Sequence, residues 1–212
     1  RYHLGHVLFG NNPLSDIIVQ GPKGIRIIPS SYGLQQMSEL SDEQRSHLTE
    51  CFTSLEASTD YFIIDTAAGI TRNVIHFLLS AHEVVVVSVP EPTAIVDAYA
   101  VIKVVLAEDS QKPIQVLINS ANSADDAHDV YCQINSVVKR FLKREVEFLG
   151  HIEQDAHVPQ AVRSQMLVTQ KYPSASSSRC FRDIARRIGQ QGEHNMTYDG
   201  IVWEKLLNDW VN

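Results

Sequence analysis

Asp65 closes the apolar run Tyr61-Phe62-Ile63-Ile64 and is followed at once by Thr66-Ala67-Ala68-Gly69-Ile70. A carboxylate is a hard oxygen donor, of the kind that holds the water shell of Mg²⁺. Gly69 has no Cβ, so a backbone N–H there can approach a phosphate oxygen closely. The two groups, with Thr66 between them, are chemistry for a Mg²⁺–nucleotide. The apolar run predicts a strand buried on both faces of a parallel sheet, and the carboxyl edge of such a sheet is where ligands are held. An aspartate in this position also serves as a simple turn cap, so the downstream residues decide between the two readings.

Beyond Ile70 the chain alternates regularly between helix and strand. A helical stretch from Arg72 to Ala81 leads to a second apolar strand, Val84 to Val89, and then to Pro90-Glu91-Pro92-Thr93, with Thr93 as the cap of a helix running to about Ala107. Ile95, Ala98, Ile102 and Val105 form the buried stripe of that helix. Ile114 to Asn119 is the next strand. Asp125 and Asp126 begin another helix and Lys139, Arg140, Lys143 and Arg144 end it, each sign matching the helix dipole. Val146 to Ile152 is the last core strand, with helices from Val158 to Gln165 and from Ser176 to Ile188. Upstream, helices are expected over 2–9, 14–19, 34–37 and 42–57 and a strand over 25–28. The predicted fold is α/β, a mostly parallel sheet flanked by helices.

The order DTAAGITRNVIHFLLSAHEVVVVSVPEPTAIVDAYAVIK, with Val116-Leu117-Ile118-Asn119 and Phe148-Leu149-Gly150-His151-Ile152 after it, resembles the MinD/ParA-type deviant Walker ATPases. Within that group it looks most like the flagellar-number regulators FlhG and FleN. The resemblance implies the P-loop NTPase fold, ATP and Mg²⁺ as cofactors, and a homodimer when ATP is bound. Under it, Asp65 serves the Mg²⁺ shell through water, and Thr66 and Gly69 lie beside the terminal phosphate. Asn119 matches the family's purine-recognising asparagine, whose amide both donates and accepts. Asp155 matches the aspartate of the family's Ile-Pro-x-Asp, although Ile152-Glu153-Gln154-Asp155 carries Glu153 where the family has proline. Glu91 falls where the family's dimer faces meet, an ordinary strand-to-helix turn being the plainer reading of the two prolines around it.

One large element is missing: the 212 residues contain no G-x-x-x-x-G-K-[ST] loop nor the lysine-rich variant of it. The chain begins at Arg1 rather than Met, and it is read as N-terminally truncated, without the first βαβ portion and without ATPase activity by itself. With 25 acidic and 18 basic residues the formal net charge is −7, which offers no general attraction to nucleic acid or anionic lipid. Three scattered cysteines, Cys51, Cys132 and Cys180, suit reduced thiols better than a disulfide framework. Nine histidines form no metal signature, and there is no Gly-x-Ser-x-Gly elbow of a hydrolase. The expected location is cytoplasmic, with peripheral contact at the inner membrane as an option.

The body is expected over 1–190, a polar linker over 191–200, and an amphipathic helix over 201–212. Lys205 is the only basic residue of that last segment. Interfacial helices usually carry several, so packing on the body or a partner is favoured over a membrane surface. The function that the resemblance implies is an ATP-dependent dimerising switch controlling flagellar number, placement and biosynthesis, through an FlhF-like GTPase, a flagellar transcriptional activator or rotor-switch proteins. The alternatives are a catalytically inactive MinD-like scaffold of pilus or secretion assembly, and a ParA-type partitioning ATPase.

Overall fold

The structure is a computed structural model that describes residues 6–7, 13–29, 41–56 and 58–194, giving the backbone alone at 42, 44–46, 48, 49, 56 and 191–194. The expected helices at 34–37 and 201–212 lie outside the described residues. The chain divides into two compact units: one holds 1–67, 71–80 and 199–212, the other 68–70 and 81–198.

In the first unit a 3₁₀ turn at Leu14–Asp16 precedes β1 (Val19–Gln20) and β2 (Arg26–Ile27), which pair antiparallel with Val19 opposite Ile27. Thus the helix expected over 14–19 gives way to a single turn and a short strand. α1 (Asp42–Glu56) and α2 (Arg72–Ser80) follow in the same unit. Its core gathers Val7, Leu14, Ile17 and Phe52, with Leu55, Ile64 and Phe77 packed against them. The Arg26 guanidinium donates to Ser58 Oγ (3.0 Å), to the Ser58 carbonyl (2.7 Å) and to Thr59 Oγ1, holding the end of α1 to β2.

The second unit is a layered α/β body. β3 (Val84–Ser88), β4 (Ile114–Ala121) and β5 (Glu147–Glu153) form a parallel sheet in the order β3-β4-β5. Parallel neighbours need a long crossover, supplied by α3 (Pro92–Glu108) and α4 (Ala124–Leu142). β4 is central and nearly all buried, whereas β3 is an edge strand whose residues alternate, with Val85 40% and Val87 58% exposed. The valine run therefore buries one face rather than two. α5 (His157–Arg163), α6 (Val168–Lys171) and α7 (Ser176–His194) come after β5. α7 packs on β5 through Ile184, Leu149 and Ile152, and it continues through 191–194, the first part of the expected linker.

Local sequence explains the helix ends. Ser123 caps α4, accepting from the Asp126 N–H at 3.1 Å, and Asp125 and Asp126 occupy its first turn. α3 starts slightly earlier than expected: Glu91 is its N-cap and Pro92 its first residue, because proline's fixed φ and missing N–H suit that position better than Thr93 suits a cap. Of the predicted stripe, Ala98, Ile102 and Val105 are buried and Ile95 is half-buried, and Leu106 joins them.

Two irregularities set up the ligand edge. The pairing of β4 with β5 skips Leu149, and beyond Ile118 two residues of β4, Asn119 and Ser120, stand against the single Ile152 before Ala121 pairs Glu153. Ser120 takes a left-handed conformation, φ 57°. Such a bulge bends the strand and re-aims the side chains next to it.

Candidate functional site

Parallel strands end on one edge, so the carboxyl ends of β3, β4 and β5 bring Glu91, Asn119 and Asp155 together there. Asn119, half-buried, sits on the central strand at the bulge. Glu91 is exposed on the β3–α3 turn, where its N–H reaches back to the Val89 carbonyl at 2.7 Å. This edge is where an open α/β sheet presents a crevice to ligands.

Asp155 is placed differently from what its sequence context implied. Its carboxylate, 6% exposed, accepts from the His157 N–H (2.8 Å), the Ser177 N–H (3.1 Å), Ser177 Oγ (2.9 Å) and Ser176 Oγ (3.3 Å), and lies 2.7 Å from His157 Nδ1. The His157 N–H foremost, with the Ser177 donors, holds this carboxyl well below the usual range despite the opposing effect of burial. The group docks the amino end of α7 against the end of β5, negative charge at a helix N-terminus. Asp155 is thus a positioning residue here, its side chain turned to the protein. The run Ser176-Ser177-Ser178 just inside a helix was the available sequence signal for that role, since serine favours helix starts.

Asp65 and Thr66 belong to the first unit and Gly69 to the second, so the boundary between the units crosses the loop that carries them. Tyr61 to Asp65 lies in neither sheet, and Tyr61, Phe62 and Ile63 are 52, 45 and 86% exposed. The expected strand, buried on both faces, is therefore corrected. A ladder strand needs a neighbouring backbone alongside it, and the described residues around this segment offer packing instead: Phe62 meets Phe52 edge to face, centroids 6.2 Å apart, and Ile64 joins the core of the first unit. The turn itself matches expectation. Gly69 has φ 103°, with no heavy atom within 4 Å of where a Cβ would stand, and Asp65 is exposed.

Each group by itself suits a part of Mg²⁺–ATP: in the first unit an exposed carboxylate for a hard cation, in the second a left-handed glycine open for a phosphate and an amide for a purine edge. The loop that would cradle the phosphates is absent from the 212 residues. At the opposite, amino edge of the sheet a cavity of about 610 Å³ is lined by Glu83, Lys112, Arg144, Glu147 and Arg187. Burial, then the nearby Glu147, pushes the Glu83 carboxyl up. That edge is not where parallel sheets hold nucleotides.

No protein-family model matches the chain. It is 34% identical over 185 residues to the antiactivator FleN of Pseudomonas aeruginosa, an overlap of 87% of this chain and 66% of that protein. It is 27% identical over 181 residues to the flagellum site-determining protein YlxH of Helicobacter pylori, covering 85% of this chain and 61% of the relative. The chain thus spans somewhat less than two thirds of the length of both. Among solved structures, a plasmid partition protein of Borrelia burgdorferi bound to AMPPNP superimposes with a TM-score of 0.61 at 17% identity, over 90% of this chain and 74% of that one. That likeness establishes the shared α/β fold. No helix among the described residues is long and apolar enough to cross a membrane. On the identity to FleN and YlxH, together with 27% identity over 134 residues, 63% of this chain and 48% of that protein, to the septum site-determining protein MinD of Bacillus subtilis, the chain belongs to the MinD/ParA-type ATPase family, on the side of its flagellar regulators.

Proposed function

We propose that the protein is a MinD-like switch that binds ATP with Mg²⁺, dimerises in that state, and so restrains flagellar number and placement. The observation that carries this reading is the 34% identity to FleN across 87% of the chain. The edge geometry supports it. Asn119, on the central strand, supplies the amide for the adenine edge. Asp155 does not reach the nucleotide itself but fixes the segment after β5 by anchoring α7. Asp65 holds Mg²⁺ through water, and Thr66 and Gly69 border the terminal phosphate. Glu91, exposed at the β3–α3 turn, faces the second copy. When bound, Mg²⁺ neutralises phosphate charge; the chain's own part is to position and to select.

The partners that fit are an FlhF-like GTPase, a flagellar transcriptional activator or the rotor switch, with residues 201–212 as the segment presented to a partner or to the inner membrane. A second reading, an inactive scaffold of the same family, draws on Glu153 in place of the family's proline and on the engagement of Asp155 within the protein.

Titration calorimetry with ATP, with and without Mg²⁺, on the protein as encoded from its natural start separates the two. Binding that requires Mg²⁺ and weakens at least about tenfold in Asp65→Ala, some 1.4 kcal/mol, supports the switch. Absence of binding by well-folded wild type overturns it in favour of the scaffold.

A further inference from the structure

We infer a zinc site at the carboxyl end of β5, formed by His151, Glu153 and Cys180. A nitrogen of His151, a carboxylate oxygen of Glu153 and the sulfur of Cys180 all lie within 4.8 Å of one another, the only such trio of metal-capable groups among the described residues. His151 and Glu153 are two apart on a strand and so share a side of it; His151 Nε2 stands 4.0 Å from Glu153 Oε1. Cys180 comes from the second turn of α7, 27 residues or more along the chain, and nothing in the local sequence links it to the other two.

The trio is held by its surroundings. Asp155 fixes the start of α7 through Ser177 on one side of Cys180, and on the other Arg187 Nη1 donates to the Leu149 carbonyl at 2.7 Å. Gly150, whose φ of 150° favours glycine, lies beneath α7, and a Cβ there would meet Ile184 Cγ1 at 3.4 Å, an ordinary contact. The strand and helix that carry the ligands are therefore pinned above and below them, the preorganisation that a metal site needs.

The donor set selects the ion. A thiolate, an imidazole and a carboxylate suit Zn²⁺, and the two anionic ligands balance its charge. Bonds of 2.0–2.3 Å in a tetrahedron put ligand atoms roughly 3.3–3.8 Å apart. The observed separations, 4.0 Å between His151 and Glu153 and no more than 4.8 Å for any pair, exceed this by amounts within reach of small rotations of partly exposed side chains. The His151 and Glu153 side chains are 21 and 37% exposed, so the fourth position opens to water. Bound zinc would tie β5 to α7 and stabilise the second unit by mass action.

The test uses metal-free full-length protein titrated with Zn²⁺ against a chromophoric chelator, and with Co²⁺ as a spectroscopic substitute. The expected result is one tight equivalent and a thiolate-to-cobalt charge-transfer band. Cys180→Ser should abolish the band, and His151→Gln should weaken zinc binding at least about tenfold, the scale of losing a ligand or its support. Cys132→Ser should change neither, although Cys132 also has an imidazole nearby, His128 Nε2 at 3.5 Å. Should Cys180→Ser fail to fold, His151→Gln and Glu153→Gln carry the same test. No uptake by folded wild type, or a band that survives Cys180→Ser, overturns the assignment.

Discussion

Replacing Asp155 by alanine tests whether this carboxylate is the anchor of α7. Ser177 is fully buried, so its N–H and hydroxyl have no water to turn to once the acceptor is gone. Each hydrogen bond to a charged group contributes about 1.5–3 kcal/mol, and stranding a buried donor costs about 1–3 kcal/mol. The His157 and Ser176 donors are less buried and recover part of their loss in water. Taken at the lower end of the first range, the two Ser177 hydrogen bonds alone come to about 3 kcal/mol. For a chain of this size that lowers the melting temperature by about 6–12 °C. The effect has a pH signature. Hydrogen bonds from the His157 N–H and from Ser177 hold the folded carboxyl below its unfolded pKa of about 3.9. Stability from this group is complete above that value and is lost as the pH falls toward the folded one, because the unfolded chain then takes up a proton that the native state refuses. Far-UV circular dichroism melts of wild type and Asp155→Ala should differ most at about pH 6, and by about 1 kcal/mol less at about pH 3. A drop under about 2 °C near neutrality, or a gap that does not narrow in acid, would refute the anchoring role.

Two further substitutions probe the second unit. Asn135 is buried on α4, accepting the Val146 N–H at 3.2 Å and donating to Tyr131 Oη at 3.1 Å, while the Tyr131 hydroxyl donates to the Val146 carbonyl at 2.9 Å. Burial foremost pushes the Tyr131 phenol up. Asn135→Ala leaves a buried N–H unpaired and should cost about 2 kcal/mol in urea unfolding, and a midpoint within error of wild type would sink this account. Gly150→Ala puts a Cβ against α7 at a φ of 150° and should cost about 1–2 kcal/mol by thermal melting; an unchanged or raised melting temperature would show that α7 can give way.

Much of the second unit was legible because its signals are local. Ile102 and Val105 repeat at helical spacing, and Asp125 and Arg140 sit at the helix ends that suit their charge. Thr93 misled because proline at the first helical position outranks a threonine behind it. The valine run of β3 could be read as buried on one face or two, since composition does not say whether a strand has neighbours on both sides.

The candidate site was legible in part. Asn119, Glu91 and Asp155 could be assigned to the sheet's carboxyl edge from chain order alone, because parallel strands share their ends. That Asn119 sits on a bulge could not, for register is a property of two strands and not of one. The tie of Asp155 to α7 was equally hidden: His157 is only two residues on, but Ser177, the partner that belongs to the helix, is 22 residues away. The approach of Cys180 to His151 and Glu153 was hidden for the same reason.

What the sequence by itself determined is the family, the alternation of strands and helices and the chemistry available, since periodicity, caps and motif order act over a few residues. The tertiary structure alone decided that Tyr61 to Asp65 lies outside both ladders, that Asp155 turns inward to hold α7, and that a thiol, an imidazole and a carboxylate meet. Each of these depends on which distant backbone or side chain arrives to satisfy a polar group, and that is settled only when the chain has packed.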